Sequence, residues 1–151
     1  MFSRRIAADI ARLPLANPPQ VPRLLPPPVP MSDGADAVAA ITLDARQTMY
    51  AHVGLSRDGD GLNQARQHLV TLTERLDGLP AARGGGFADV TRWGEASNLL
   101  LAARLVTEAA WRRRESRGAH YRADFPDSPR PAQPRQFLTL ADLAPVPEPH
   151  S

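Results

Sequence analysis

Residues 95–118, EASNLLLAARLVTEAAWRRRESRG, decide the fold. Their apolar positions Ala96, Leu99, Leu100, Ala103, Val106, Ala110 and Trp111 recur with the period of a helix face, not with the period of two expected of a strand. With Trp93 ahead of them, they predict one long helix over about 92–117. Glu95 in its first turn and Arg112, Arg113 and Arg114 near its end complement the helix dipole. Gly118 is placed to close the helix in the left-handed conformation.

Two shorter helices are predicted upstream. Over about 35–53, Val38, Ile41, Ala45, Met49 and Val53 form one face, and Gly54 is placed to follow the last turn. Over about 62–76, Leu62, Ala65, Leu69, Leu72 and Leu76 keep a 3-4-3-4 spacing, with Asp60 as N-cap and Gly78 or Pro80 as the stop. Short connections favour antiparallel neighbours. The expected fold class is all-α: a three-helix antiparallel bundle over 35–126, with no strand. Gly84, Gly85 and Gly86 lack the surroundings of a phosphate-binding motif and read as a plain loop.

The flanks differ in kind. The chain has 151 residues and 16 Pro. Eight Pro fall between Pro14 and Pro30, seven between Pro126 and Pro149, and only Pro80 lies in 31–125. Each Pro fixes φ and removes a donor, so only the central stretch can be a regular fold. Residues 14–34 read as an extended linker, a spacer more than a ligand for a proline-binding domain, and 127–151 as a Pro-rich tail. Residues 1–13 place Phe2, Ile6, Ile10 and Leu13 on one helical face. Isolated helices below ~12–15 residues are marginal, so this segment has to dock. Asp9 and the following prolines argue against a mitochondrial presequence.

Composition closes several routes. Cys is absent, which removes disulfides, thiolate metal sites and a Cys nucleophile. All 18 basic residues are Arg, and 16 acids leave a net charge of +2. No apolar run approaches the ~20 residues of a membrane span. His52, His68, His120 and His150 share no ligand spacing, so no metal is expected, and Ser116 near His120 makes no credible nucleophile pair. Arg112, Arg113, Arg114, Arg117 and Arg122, with Trp111 and Tyr121 nearby, could form a nucleic-acid footprint. Glu115, Asp124 and Asp127 interleave with them, and a solvated helix end or an internal salt-bridge network is the commoner outcome of such a run.

Residues 114–126, RESRGAHYRADFP, are more particular. They concentrate both signs of charge, a His, two aromatics, a Gly and a Pro. They suggest a fixed turn that packs across a domain boundary, with Glu115, Arg117, His120, Tyr121 and Arg122 as candidate interdomain contacts. The alternative is that these side chains only lock the turn.

This segment resembles the signature near the C-terminus of the succinate dehydrogenase, fumarate reductase and L-aspartate oxidase flavoproteins. MYAHVGLSRDGDGL at 49–62 and EASNLLLAARLVTEAAWRRRESRG at 95–118 resemble two further segments of that family, in the same order and spacing. The pattern covers about 36–126, and the L-aspartate oxidase branch fits best. FSRRIAADI, near the N-terminus, resembles the helix that closes the family's flavin domain. The resemblance implies a cytoplasmic, FAD-dependent oxidation of L-aspartate to iminoaspartate, toward quinolinate and NAD. No G-x-G-x-x-G occurs here, and no residue matches the family's catalytic or FAD-contacting positions. The chain is therefore expected to be a C-terminal part, inactive and without FAD alone, whose partners are flavin and capping domains that lie elsewhere. The alternatives are the same part of a succinate dehydrogenase or fumarate reductase flavoprotein, and a free-standing Arg-rich helical interaction module.

Overall fold

The computed structural model describes residues 29–30, 34–79, 81–82 and 86–143. The readings of 1–13, of 14–28 and 31–33 in the linker, of Pro80 as a stop, of Gly84 and Gly85 in the loop and of 144–151 in the tail lie outside the described residues. In chain order the elements are β1 (Val29–Pro30), α1 (Ala35–Val53), β2 (Ser56–Arg57), α2 (Gly59–Asp77), β3 (Ala81–Ala82), α3 (Phe87–Arg112) and β4 (Tyr121–Arg122). A 3-10 turn, Leu140–Leu143, follows.

All three helices pack against one another. Val38, Ile41 and Ala45 from the first half of α1 meet Leu69, Leu72 and Leu76 from the second half of α2 and Ala96, Leu100 and Ala103 from α3. At the other end Val53 meets Leu62, Ala65 and Ala110. α2 therefore runs antiparallel to both α1 and α3, and those two run parallel. Small residues at Ala45, Ala65, Ala96 and Ala103 let the helices approach closely, and α2 fills the space between with Leu. Truncating one of these leucines to Ala costs about 2–5 kcal/mol, a large share of the stability of so small a core.

The five apolar positions predicted for α2 are all buried, and so are four of the five predicted for α1. Met49, the fifth, is partly buried between the two clusters. α3 differs from its prediction: Val106 is 52% exposed, whereas Thr107 and Glu108 are buried. Thr107 Oγ1 donates to the Ala103 carbonyl at 2.7 Å. Glu108 lies under two arginines, Arg66 Nε at 2.7 Å and Arg112 Nε at 2.6 Å. A polar residue becomes tolerable on the inner face when its partners come with it.

The boundaries also move. α3 spans Phe87–Arg112, not 92–117, and Gly118, at φ 59°, turns a tight hairpin beyond it rather than ending it. Asp58, not Asp60, caps α2, accepting from the Gly61 amide at 2.8 Å. Gly54 follows α1 without the left-handed conformation, at φ −68°. Two minimal ladders were not foreseen: β1 pairs antiparallel with β3, and β2 pairs parallel with β4. Each pair is two residues long, too short for any periodicity to signal. No described helix is long and apolar enough to cross a membrane.

Candidate functional site

The segment after α3 draws three helix ends together, and Arg122 is its centre. This side chain is 2% exposed. Its Nη1 lies 3.0, 3.1 and 3.2 Å from the carbonyl oxygens of Ala110, Trp111 and Arg113, the acceptors that the end of an α-helix leaves without partners. Its Nε and Nη2 donate to the two carboxylate oxygens of Asp124 at 2.8 and 2.7 Å, a bidentate fork. The hydrogen bond from Arg122 is the main cause holding the Asp124 carboxyl below its usual range. Asp124 Oδ2 also accepts from the Gly59 amide at 3.0 Å, in the first turn of α2. A Cβ at Gly59 would stand 3.0 Å from that oxygen, so a side chain there would push on the carboxylate that Arg122 holds. One guanidinium and one carboxylate thus join the end of α3 to the start of α2.

His120 ties in the end of α1. Its Nε2 is 3.2 Å from the Arg113 carbonyl and its Nδ1 is 3.3 Å from Arg57 Nη1. A carbonyl only accepts and a guanidinium only donates, so the ring is the neutral tautomer protonated on Nε2. Burial depresses its pKa first; the charges of Arg57, Arg113 and Arg122 add to that, against the bond to the Arg113 carbonyl. Arg57 Nε caps the Val53 carbonyl of α1 at 3.1 Å, and the Arg57 carbonyl accepts from the Ala123 amide at 2.7 Å.

Glu115 and Ser116 fix the rest of the turn. Glu115 is 0% exposed and accepts from Arg113 Nη2 at 2.6 Å, Arg117 Nε at 3.3 Å and the Gln133 amide at 3.4 Å. Burial pushes its carboxyl upward, and the bonds from Arg113, Gln133 and Arg117 outweigh that, leaving it below the ordinary value. Ser116 Oγ accepts from the Arg122 amide at 2.9 Å and donates toward the Phe125 carbonyl at 2.8 Å. Ser128 Oγ donates to the Ser116 carbonyl. Ser116 and His120 are engaged separately, in line with the absence of a nucleophile pair.

Of the residues expected at a domain boundary, Glu115 and Arg122 lie inside, their polar groups satisfied within the chain. Arg117 and Tyr121 remain exposed, and His120 is half-buried. The structure adds Arg57, Asp124, Ser116 and Gln133. Asp124 was legible as an acid interleaved with the arginines and Ser116 only as a neighbour of His120, Arg57 belonged to a quoted segment, and Gln133 had no signal. The chain beyond 126 is also held: Arg117 Nη2 donates to the Pro129 carbonyl at 2.7 Å, Arg112 Nη1 to Asp142 at 2.8 Å and Arg104 Nη2 to the Leu143 carbonyl at 2.9 Å.

This arrangement builds a rigid turn and offers little for catalysis. Among the described residues no group of His and acids could hold a metal ion. Nor do they fit FAD. A dinucleotide site sets a glycine turn between a strand and a helix N-terminus. Here the start of α2 already faces the carboxylates of Asp58 and Asp124, and the one positive φ among the described residues, at Gly118, serves the hairpin.

Residues 43–142 match the family model described as fumarate reductase flavoprotein C-term. An L-aspartate oxidase of Rhodospirillum rubrum is 39% identical over 99% of this chain and 48% of its own length. An FAD-dependent oxidoreductase of Methanocaldococcus jannaschii is 36% identical over 56% of this chain and 15% of its own. The structure of Mycobacterium smegmatis Sdh1 in complex with UQ1 superposes with a TM-score of 0.53 at 27% identity, over 82% of this chain and 19% of that one. The chain spans about half the length of the first relative and under a fifth of the other two. On this match and this helical architecture, the chain belongs to the fumarate reductase flavoprotein C-terminal family, whose full-length members are FAD-containing flavoproteins.

Proposed function

We propose that this chain is the C-terminal helical part, over 35–126, of a cytoplasmic, FAD-dependent L-aspartate oxidase that converts L-aspartate to iminoaspartate in the biosynthesis of NAD. The observation that carries this reading is the 39% identity to the Rhodospirillum rubrum L-aspartate oxidase, which extends over 99% of the chain. The role of the part is structural. Its most distinctive residues, Glu115 and Arg122, hold the turn, and the polar atoms of His120 and Arg117 help to hold it; the exposed surfaces of Arg117 and Tyr121 and the open edge of His120 are what this turn presents to the flavin and capping domains. Residues 1–13 belong, on the same reading, to the last helix of the flavin domain, with 14–34 as linker and 127–151 as tail.

A second reading, a fumarate reductase or succinate dehydrogenase flavoprotein, is favoured by the family match over 43–142. Substrate separates the two. The protein carrying this chain together with its flavin part should consume oxygen with L-aspartate and release hydrogen peroxide. Fumarate reduction with a dye donor, combined with no turnover of L-aspartate, would overturn the first reading in favour of the second.

A further inference from the structure

The chain has no Cys and three Met, and among the described residues Met49 holds the one sulfur atom. With no thiol to react first, a two-electron oxidant meets a thioether. Met49 continues the inner line of α1. Ile41, Ala45 and Val53 on that line are buried, whereas Met49 is only partly so. It packs against both core clusters, that of Ile41, Leu72 and Leu100 and that of Val53, Leu62 and Ala110. It is therefore the joint between the two halves of the core, and it still reaches solvent. Its sulfur faces α3. Thr107 Oγ1 lies 3.5 Å from Sδ and 2.7 Å from the Ala103 carbonyl. A threonine hydroxyl has one hydrogen, and the shorter contact takes it. The thioether lone pairs are left without a donor of their own and keep their nucleophilicity.

The oxidant follows from the proposed reaction. Oxidation of L-aspartate by oxygen releases hydrogen peroxide, and the inference rests on that reading for its source. Peroxide and thioether balance without another reactant. The O–O bond breaks, one oxygen becomes bonded to Sδ, and the other leaves as water with both hydrogens. Sulfur gives up the two electrons that the peroxide gains. The product is a sulfoxide, polar where the thioether was apolar, and enzymes that reduce methionine sulfoxide restore it. Its oxygen would lie against Thr107, which is 0% exposed. It either draws the Thr107 hydroxyl away from the Ala103 carbonyl or stays without a donor inside the core. Both outcomes weaken the packing where α1 meets α3.

We propose that Met49 is a site of reversible oxidation to the sulfoxide by the hydrogen peroxide of turnover, and that this modification loosens α1 from α3. In the protein that carries this chain with its flavin part, added hydrogen peroxide should place one oxygen on the peptide containing Met49, read by mass. Amide exchange within 41–53 and 99–110 should then quicken about tenfold, the change expected for one unpartnered buried polar group. A methionine sulfoxide reductase should reverse both changes. Met49→Leu, a swap of nearly equal volume, should keep the flavin and show no quickening; if that variant does not fold, reversal by the reductase serves in its place. Met49 that stays reduced under peroxide that oxidises it in the denatured protein would overturn the proposal, and so would oxidation with unchanged exchange. Turnover with L-aspartate tests the source. It should oxidise Met49, and catalase should prevent this. Oxygen uptake that leaves Met49 reduced overturns the proposal and leaves the oxidase reading standing. Absence of uptake, with Met49 oxidised by added peroxide, rejects the oxidase reading and keeps the site.

Discussion

Arg122 carries five N–H donors, and those that bond meet acceptors within this chain: three carbonyls at the end of α3 and both oxygens of Asp124. Its guanidinium also lies over the Phe125 ring, 5.1 Å from the centroid. Arg122→Gln should destabilise the chain by about 3 kcal/mol in urea unfolding, because it leaves carbonyls and a carboxylate unpartnered. Arg122→Lys should recover little, since an ammonium cannot reproduce the fork. Full stability in the Lys variant would mean that charge alone suffices. His120 gives the turn a pH dependence. Its folded pKa lies below the ordinary 6.5, so below that pH the unfolded chain binds more protons than the folded one, and stability falls as the pH drops. Thermal melting between pH 8 and 5 should show this slope in the native protein and a shallower one in His120→Gln. Parallel slopes would show that the ring does not govern it.

At the scale of elements, α2 is the helix whose sequence and burial agree position for position. Its inner face lies between two neighbours, and its outer face is polar except at Val70. α3 has neighbours along more of its circumference, so its apolar stripe is broad and the buried line within it is not readable from spacing. Two of its features are testable. Gly94 sits mid-helix, and a Cβ there would meet nothing within 4 Å. Gly94→Ala should therefore raise the urea midpoint, stabilising by about 0.5–1 kcal/mol. Gly118→Ala should do the opposite by about 1–2 kcal/mol, because a Cβ is strained at its φ of 59°. A neutral result at Gly118 would mean that the hairpin tolerates another conformation.

On the scale of the whole molecule, the Pro-rich segment after Phe125 returns along α3 and ends in the 3-10 turn at Leu140–Leu143. Asp142 anchors that turn. The Thr139 amide, then Arg112, then the Thr139 hydroxyl lower its pKa from 3.8 to about 2. For a depressed carboxylate the contribution is complete above 3.8 and is lost as the pH falls through about 2. Asp142→Asn at neutral pH should mimic that loss. Limited proteolysis should then cut within 131–143 faster, while the urea midpoint of the bundle stays nearly unchanged. A fall of the midpoint together with the cleavage would mean that this segment is part of the cooperative core.

By itself the sequence determined the three helices, their order and the family segments, because helical periodicity and turn residues are local properties. It also marked residues 114–126 as special through their dense charge. What it could not determine was the direction in which that charge is used. Glu115 and Arg122 read equally well as surface contacts or as internal ones, since an Arg finds its acceptors through space and not along the chain. Only the tertiary structure brought Asp124 to α2, His120 to Arg57 and three carbonyls to Arg122. It likewise decided that α3 ends at Arg112 and that its outer face stands beside that of α1. Those facts depend on which helix lies next to which, and that is settled by packing.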